Sequence, residues 1–210
     1  MARGLRRLSQ PGVAWVALAS TAALGSLLVA VASWAGAPAH EPLVWWRSAP
    51  QQIWRCWSAA FVHGTLGHLG ANLAGCALLG LLGWQARLSL SATVAWAAAW
   101  PLTHALLWLA AQPERYLGLS GVLHAGVAVT AVMLLWRPGG RWRGLGAALG
   151  LGLAAKILLE SPWHGAVQVR PDWPFPVAVG AHATGTIAGA LCAILLQLAR
   201  PRTDTVSPRR

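Results

Sequence analysis

Charge is scarce in this chain. Asp, Glu, Lys and Arg make up 10% of the 210 residues against 56% hydrophobic ones, a balance outside that of soluble globular domains. Acids are scarcest, with five Asp and Glu in all, and the formal charge is +11. The three cysteines, Cys56, Cys76 and Cys192, are odd in number and show no CxxC spacing, so they point to neither a disulfide scaffold nor a zinc site, and no metal is expected. Internal repetition is also missing, which argues against a transporter built from inverted repeats. No extramembrane stretch is long enough for a soluble domain, the longest being roughly residues 35 to 65.

What fills the chain instead is a series of apolar runs. An apolar helix needs about 20 residues to cross the hydrocarbon layer. The runs accordingly predict an all-α membrane protein with spans near 13–34, 66–84, 90–111, 117–136, 144–160 and 177–199. Together they form one membrane domain over 1–200, followed by a cytoplasmic tail, 201–210. The basic residues are topological and do not imply a nucleic-acid partner. With the N-terminus in the cytoplasm, Arg3, Arg6, Arg7, Arg87, Arg137, Arg141, Arg143, Arg200, Arg202, Arg209 and Arg210 share one side; Arg47, Arg55, Arg115 and Arg170 share the other. Trp15, Trp34, Trp84, Trp136, Trp142, Trp163 and Trp173 stand near span ends, as interfacial anchors do. The segment VWWRSAPQQIWRCW, 44–57, mixes indoles with guanidinium groups and is expected to lie in the headgroup layer. A signal peptide cleaved near AGAPA, 35–39, is disfavoured because the first apolar run is too long.

Three polar stretches interrupt this pattern: FVHGTLGHLGAN (61–72), LGLSGVLHAG (117–126) and GAHATGTIAG (180–189). All three fall in the outer halves of inward-running spans, with His182 ~8 Å deep at ~1.5 Å per residue. His68 and Asn72 share a helix face, as do Ser120 and His124, and His182 shares one with Gly185 and Gly189. Small residues let membrane helices approach closely, so Gly121 and the glycines of the last span bring Ser120 toward His182. Ionisable groups in lipid are costly and mark functional sites by default. His40 and His104, without polar neighbours at useful spacing, read as structural or interfacial. Acyl transfer needs a nucleophile, a base and donors for developing negative charge. Ser120, His182, and His68 with Asn72 supply these in turn. Glu41, Glu114, Asp172 and Asp204 lie in loops or the tail and Glu160 ends a span, so a Ser–His dyad without an acid is expected, with His124 packed on the His182 ring to orient it.

These motifs resemble the rhomboid family of intramembrane serine proteases. WRCWSAAFVHGTLGHLGAN is similar to the family's WR element followed by HxxxxHxxxN, GLSG to GxSG, and AHATGTIAG to AHxxGxxxG. The resemblance implies a six-transmembrane-helix rhomboid-like bundle with Ser120 as nucleophile and His182 as base. His68, Asn72 and the Ser120 N–H would form the oxyanion hole, with His63, His124, Gly118, Gly121 and Gly185 in support. No cofactor is implied. His124 in place of the usual tyrosine, and Lys156 four residues before Glu160, look like the rhombosortase branch, although that branch has an acid where Gly180 stands. The branch implies a membrane-anchored substrate with a C-terminal Gly-Gly sorting tail, the lipid bilayer as surroundings, and a bacterial inner membrane with both termini cytoplasmic and the site opening to the periplasm. A general rhomboid protease is the alternative within the family. From other classes come a haem-binding multi-histidine protein, with His68 and His182 as ligands, and an inactive relative acting as a chaperone. Ser120, Asn72 and the glycines speak against the first, and retention of Ser120 with His182 against the second.

Overall fold

The computed structural model describes residues 10–35, 40–110, 112–169 and 176–199. Backbone in hydrocarbon must satisfy its own N–H and C=O groups, and the apolar runs do so as helices. These are α1 (Val13–Trp34), the short α2 (Arg55–Ser58), α3 (Leu66–Gln85), α4 (Leu90–Ala105), α5 (Ser120–Leu135), α6 (Gly140–Glu160) and α7 (Val179–Leu198). Among the described residues one two-stranded sheet forms, β1 (Trp45–Trp46) antiparallel to β2 (Arg115–Tyr116), with Trp45 opposite Tyr116. Each expected span has its helix. Among the described residues four suffice, by length and composition, to cross a membrane: Val13–Trp34, Leu66–Gln85, Gly140–His164 and Val179–Leu198. The expected count of six therefore goes beyond what helix length supports. Both α4 and α5 have 16 residues, ~24 Å at ~1.5 Å per residue against ~30 Å of hydrocarbon. A 3₁₀ turn, Leu106–Leu109, prolongs α4. The molecule is a multi-pass helical membrane protein of apolar helices.

A helix buried all round is apolar all round, and α5 is that helix, with Val122, Ala125, Val129 and Leu134 fully enclosed. Its contact with α7 is backbone on backbone. A Cβ at Gly185 would stand 2.0 Å from the Gly121 carbonyl oxygen, and one at Gly189 2.2 Å from that of Ala125. On another side Gly146 brings α6 near, though less closely, since a Cβ there would lie 2.8 Å from the Ala131 oxygen. Trp96 of α4 donates from Nε1 to the Val122 oxygen at 2.8 Å. Trp15 is not the interfacial anchor expected of it. Its ring is fully buried in a notch left by Gly83, donates to the Leu79 oxygen at 2.9 Å and packs on Trp96. Trp34, Trp84, Trp136 and Trp163 are exposed.

The Trp- and Arg-rich segment is more tightly built than a loop resting in headgroups. The Arg47 guanidinium donates to the carbonyl oxygens of Leu107 (2.8 Å), Trp108 (3.3 Å) and Pro113 (3.2 Å), and so ties the segment to the chain that follows α4. Ser58 Oγ donates to the Leu43 oxygen at 2.8 Å, and buried His104 bonds through Nδ1 to the Cys56 oxygen. Ile53, Trp54 and Trp57 stay exposed. At the opposite end of the bundle Arg137 donates to the Ala86 oxygen, and both Arg137 and Arg141 lie over the Trp142 ring. Arg47, Arg55 and Arg115 thus stand at one end, and Arg87, Arg137, Arg141 and Arg143 at the other. Arg3, Arg6, Arg7, Arg170, Asp172, Trp173, the remaining C-terminal arginines, the tail 201–210 and most of the AGAPA stretch lie outside the described residues.

Candidate active site

Three helix N-termini and one C-terminus build the site. Thr65 caps α3 by accepting from the His68 N–H at 3.1 Å, which fixes the first turn that carries His68 and, one turn on, Asn72. The chain reaches α5 through Gly118, whose φ of +118° favours glycine. A Cβ at that position would also stand 2.6 Å from His68 Cε1 and 2.7 Å from Nε2. The imidazole therefore lies directly on the backbone two residues before Ser120. The Gly118 N–H donates to the Ala59 oxygen at 2.9 Å, and its own oxygen accepts from the Tyr116 hydroxyl at 2.9 Å.

Ser120 opens α5 and His182 lies in the first turn of α7, 62 residues on. The Ser120 hydroxyl lies 3.0 Å from His182 Nε2. His124, one turn below Ser120, is stacked on His182 with ring centroids 4.1 Å apart and planes 8° apart; its Nδ1–H donates to the Ser120 oxygen at 2.7 Å. His63 meets His68 edge-on at 4.9 Å, with its Nδ1–H directed at the Phe61 oxygen. Asn72 is buried, and its Nδ2 has no hydrogen-bond partner among the described residues. A buried donor left unpaired is costly, and this one faces no acceptor that would hold it. A cleft of about 680 Å³ opens beside Ser120, lined by His68, Tyr116, Val167, Pro176 and Ala178 among others.

One expectation fails here. A carboxylate does reach His182: Glu160 Oε2, at the C-terminal end of α6, lies 2.8 Å from Nδ1, while Oε1 lies 2.7 Å from Lys156 Nζ. In the sequence Glu160 ends a span, and helical spacing offers it Lys156 as a partner on its own helix while saying nothing of which helix lies opposite. Its signal was that it is an acid at the end of an apolar span, at the same depth as His182. The α6 helix stops there because Ser161 takes a left-handed φ of +48°, and the Gln168 amide donates to the Glu160 oxygen at 2.6 Å. Gly180, where the branch pattern has an acid, packs on Ala166 so closely that a Cβ would meet the Ala166 Cβ at 2.8 Å. Ligand atoms of His124, Glu160 and His182 fall within 4.8 Å of one another, a set able in principle to hold a metal ion. Imidazole lone pairs lie in the ring plane, however, and two rings stacked nearly parallel do not aim them at one point without one ring turning.

Across residues 50–198 the chain matches the family model of the Rhomboid domain. The chain belongs to the rhomboid family. No curated protein matches it. Rhomboids are intramembrane serine proteases, and in this rhomboid the matched region contains Ser120, His182, His68 and Asn72 as well as Lys156 and Glu160.

Proposed function

We propose that this rhomboid is an active intramembrane serine endopeptidase whose single membrane domain, 1–200, crosses the bilayer six times. The 3₁₀ extension of α4 supports a crossing longer than its 16 helical residues. The shortness of α5 is accounted for if Ser120 lies below the membrane surface, reached from outside through the cleft. Both termini then lie in the cytoplasm, and the site opens to the periplasmic side of a bacterial inner membrane. The arginines at the end opposite the site support this orientation.

The observation that carries the reading is the 3.0 Å approach of Ser120 Oγ to His182 Nε2. His182 takes the Ser120 proton as Oγ attacks the scissile carbonyl carbon, and returns it to the leaving amine as the C–N bond breaks. Negative charge on the carbonyl oxygen is met by His68, Asn72 and the N–H of Ser120, which as a helix-opening residue has no intrahelical acceptor. Water entering by the cleft then hydrolyses the acyl-enzyme. The substrate is a membrane-anchored protein, and we assign it a C-terminal Gly-Gly sorting tail, as in rhombosortases. His124 stacked on His182 and the paired Lys156 and Glu160 support that branch. The haem alternative is weakened, because both ring nitrogens of His182 are engaged, one with Ser120 and one with Glu160.

Co-expression with a membrane-anchored Gly-Gly-tailed protein tests this. Wild type is expected to release the tail and Ser120→Ala to leave it intact. An intact tail in both, with cleavage of an untailed membrane substrate by wild type, would move the enzyme to the general rhomboid class. Equal cleavage by both would end the serine-protease reading.

A further inference from the structure

We propose that Glu160 is the third member of the proteolytic site and that Lys156 is the positioning residue that holds it there. The assignment rests on the protease reading above and extends it from a dyad to a chain of four groups. Lys156 Nζ, Glu160 Oε1 and Oε2, His182 Nδ1 and Nε2, and Ser120 Oγ follow one another at 2.7, 2.8 and 3.0 Å.

An ionised carboxylate only accepts hydrogen bonds, and a neutral imidazole carries one N–H. Glu160 Oε2 opposite Nδ1 therefore keeps the ring proton on Nδ1 and leaves the Nε2 lone pair facing the Ser120 hydroxyl, the tautomer a general base needs. Two separate contacts set the ring: His124 stacked on its face sets the plane, and Glu160 at its edge sets the rotation within that plane. When Ser120 Oγ bonds the scissile carbonyl carbon, its proton passes to Nε2, and the imidazolium so formed lies against an existing negative charge. The proton leaves Nε2 with the departing amine, and Glu160 never takes it.

A lone carboxylate at this depth would be costly, since Glu160 is 5% exposed. Lys156 supplies the countercharge. Its side chain is 48% exposed and bridges the buried carboxylate to the surroundings of the bundle. Holding Oε1 with Lys156 leaves Oε2 for His182, and the Gln168 amide on the Glu160 carbonyl oxygen fixes the backbone at the same residue. A merely structural ion pair on α6 would not require Oε2 to meet an imidazole 22 residues away on another helix.

The test compares Glu160→Gln, Lys156→Met, Lys156→Arg, the double variant Lys156→Met/Glu160→Gln, and Ser120→Ala. Cleavage kcat and KM, labelling of Ser120 by a fluorophosphonate, and Tm in detergent are measured for each. Glu160→Gln is expected to lower kcat about 10²–10⁴-fold, by analogy with loss of a triad carboxylate, with KM nearly unchanged and Ser120 labelled more slowly. Lys156→Arg should keep activity and Lys156→Met lose part of it. The double variant leaves no buried charge unpaired, so Tm should return toward wild type while kcat stays as low as in Glu160→Gln. Recovery of kcat together with Tm in the double variant would make the pair structural and overturn the assignment. So would wild-type kcat and labelling in Glu160→Gln beside an inactive Ser120→Ala. Cleavage by Ser120→Ala would instead overturn the protease reading, and this assignment with it.

Discussion

Both nitrogens of His182 are spoken for, and that fact decides what single substitutions do at this site. Ser120→Ala removes one hydroxyl and no large contact, so fluorophosphonate labelling and cleavage should vanish while Tm stays that of wild type. Turnover by that variant would place the nucleophile elsewhere. The proposed oxyanion donors should behave differently. Asn72→Ala and His68→Ala are each expected to cost about 10²–10³ in kcat, leaving activity measurable with a sensitive peptide reporter. Normal turnover in both single variants and in the double would make them packing residues. Much of this constellation was legible in the sequence. The i, i+4 pairs His68 with Asn72 and Ser120 with His124 fix a shared face, and alternation of the spans fixes a shared depth. Glu160 was not legible as a neighbour of His182. Sequence spacing reports contacts within a helix, and the Glu160 to His182 contact depends on how α6 leans on its neighbours.

At the scale of elements, the close seam between α5 and α7 brings Ser120 and His182 together. Gly185→Ala sets a Cβ where the Gly121 oxygen already stands, 2.0 Å away, so the two helices must part. Overpacking of this kind costs about 1–3 kcal/mol. A lower Tm and slower cleavage are expected together, because α7 carries His182 with it. Gly152→Ala is the matched control. Nothing outside its own stretch of helix lies within 4 Å of a Cβ at Gly152, and alanine is the better helix former, so Tm should hold or rise. Equal effects of the two changes would mean that the seam does not limit stability. Helix positions followed from the apolar runs to within a few residues at most ends. The Trp- and Arg-rich segment did not, because a ladder of two residues per strand is too short to leave a period-2 pattern, and Arg47 reaches its carbonyls across 60 residues of chain or more. Trp15 misled for a related reason: an indole near a span end reads as an anchor unless the glycine that admits it, Gly83, is known to lie opposite.

For the whole molecule the main expectation is topological. With the native cysteines replaced, a cysteine at exposed Gln112, near the cleft, should react with a membrane-impermeant maleimide in intact cells. One at exposed Pro138 should react only after the membrane is opened. The reverse result would invert the orientation and turn the cleft toward the cytoplasm. The pairing of Gly121 with Gly185 and of Ala125 with Gly189 has a further consequence, for which changes this chain can tolerate over evolutionary time. The two contacts repeat at four-residue steps, and each added residue turns a helix by about 100°. A single insertion or deletion between Ser120 and Ala125, or between His182 and Gly189, would carry a side chain into the opposite backbone at the next contact. Exchange of one apolar residue for another is cheap on the outer faces of α1 and α3, where Leu28 and Leu78 are exposed. Along the seam the chain is bound by length as well as by identity, so homologues can diverge widely in composition around this stretch while the number of residues from Ser120 to the seam, and from His182 to the seam, stays fixed.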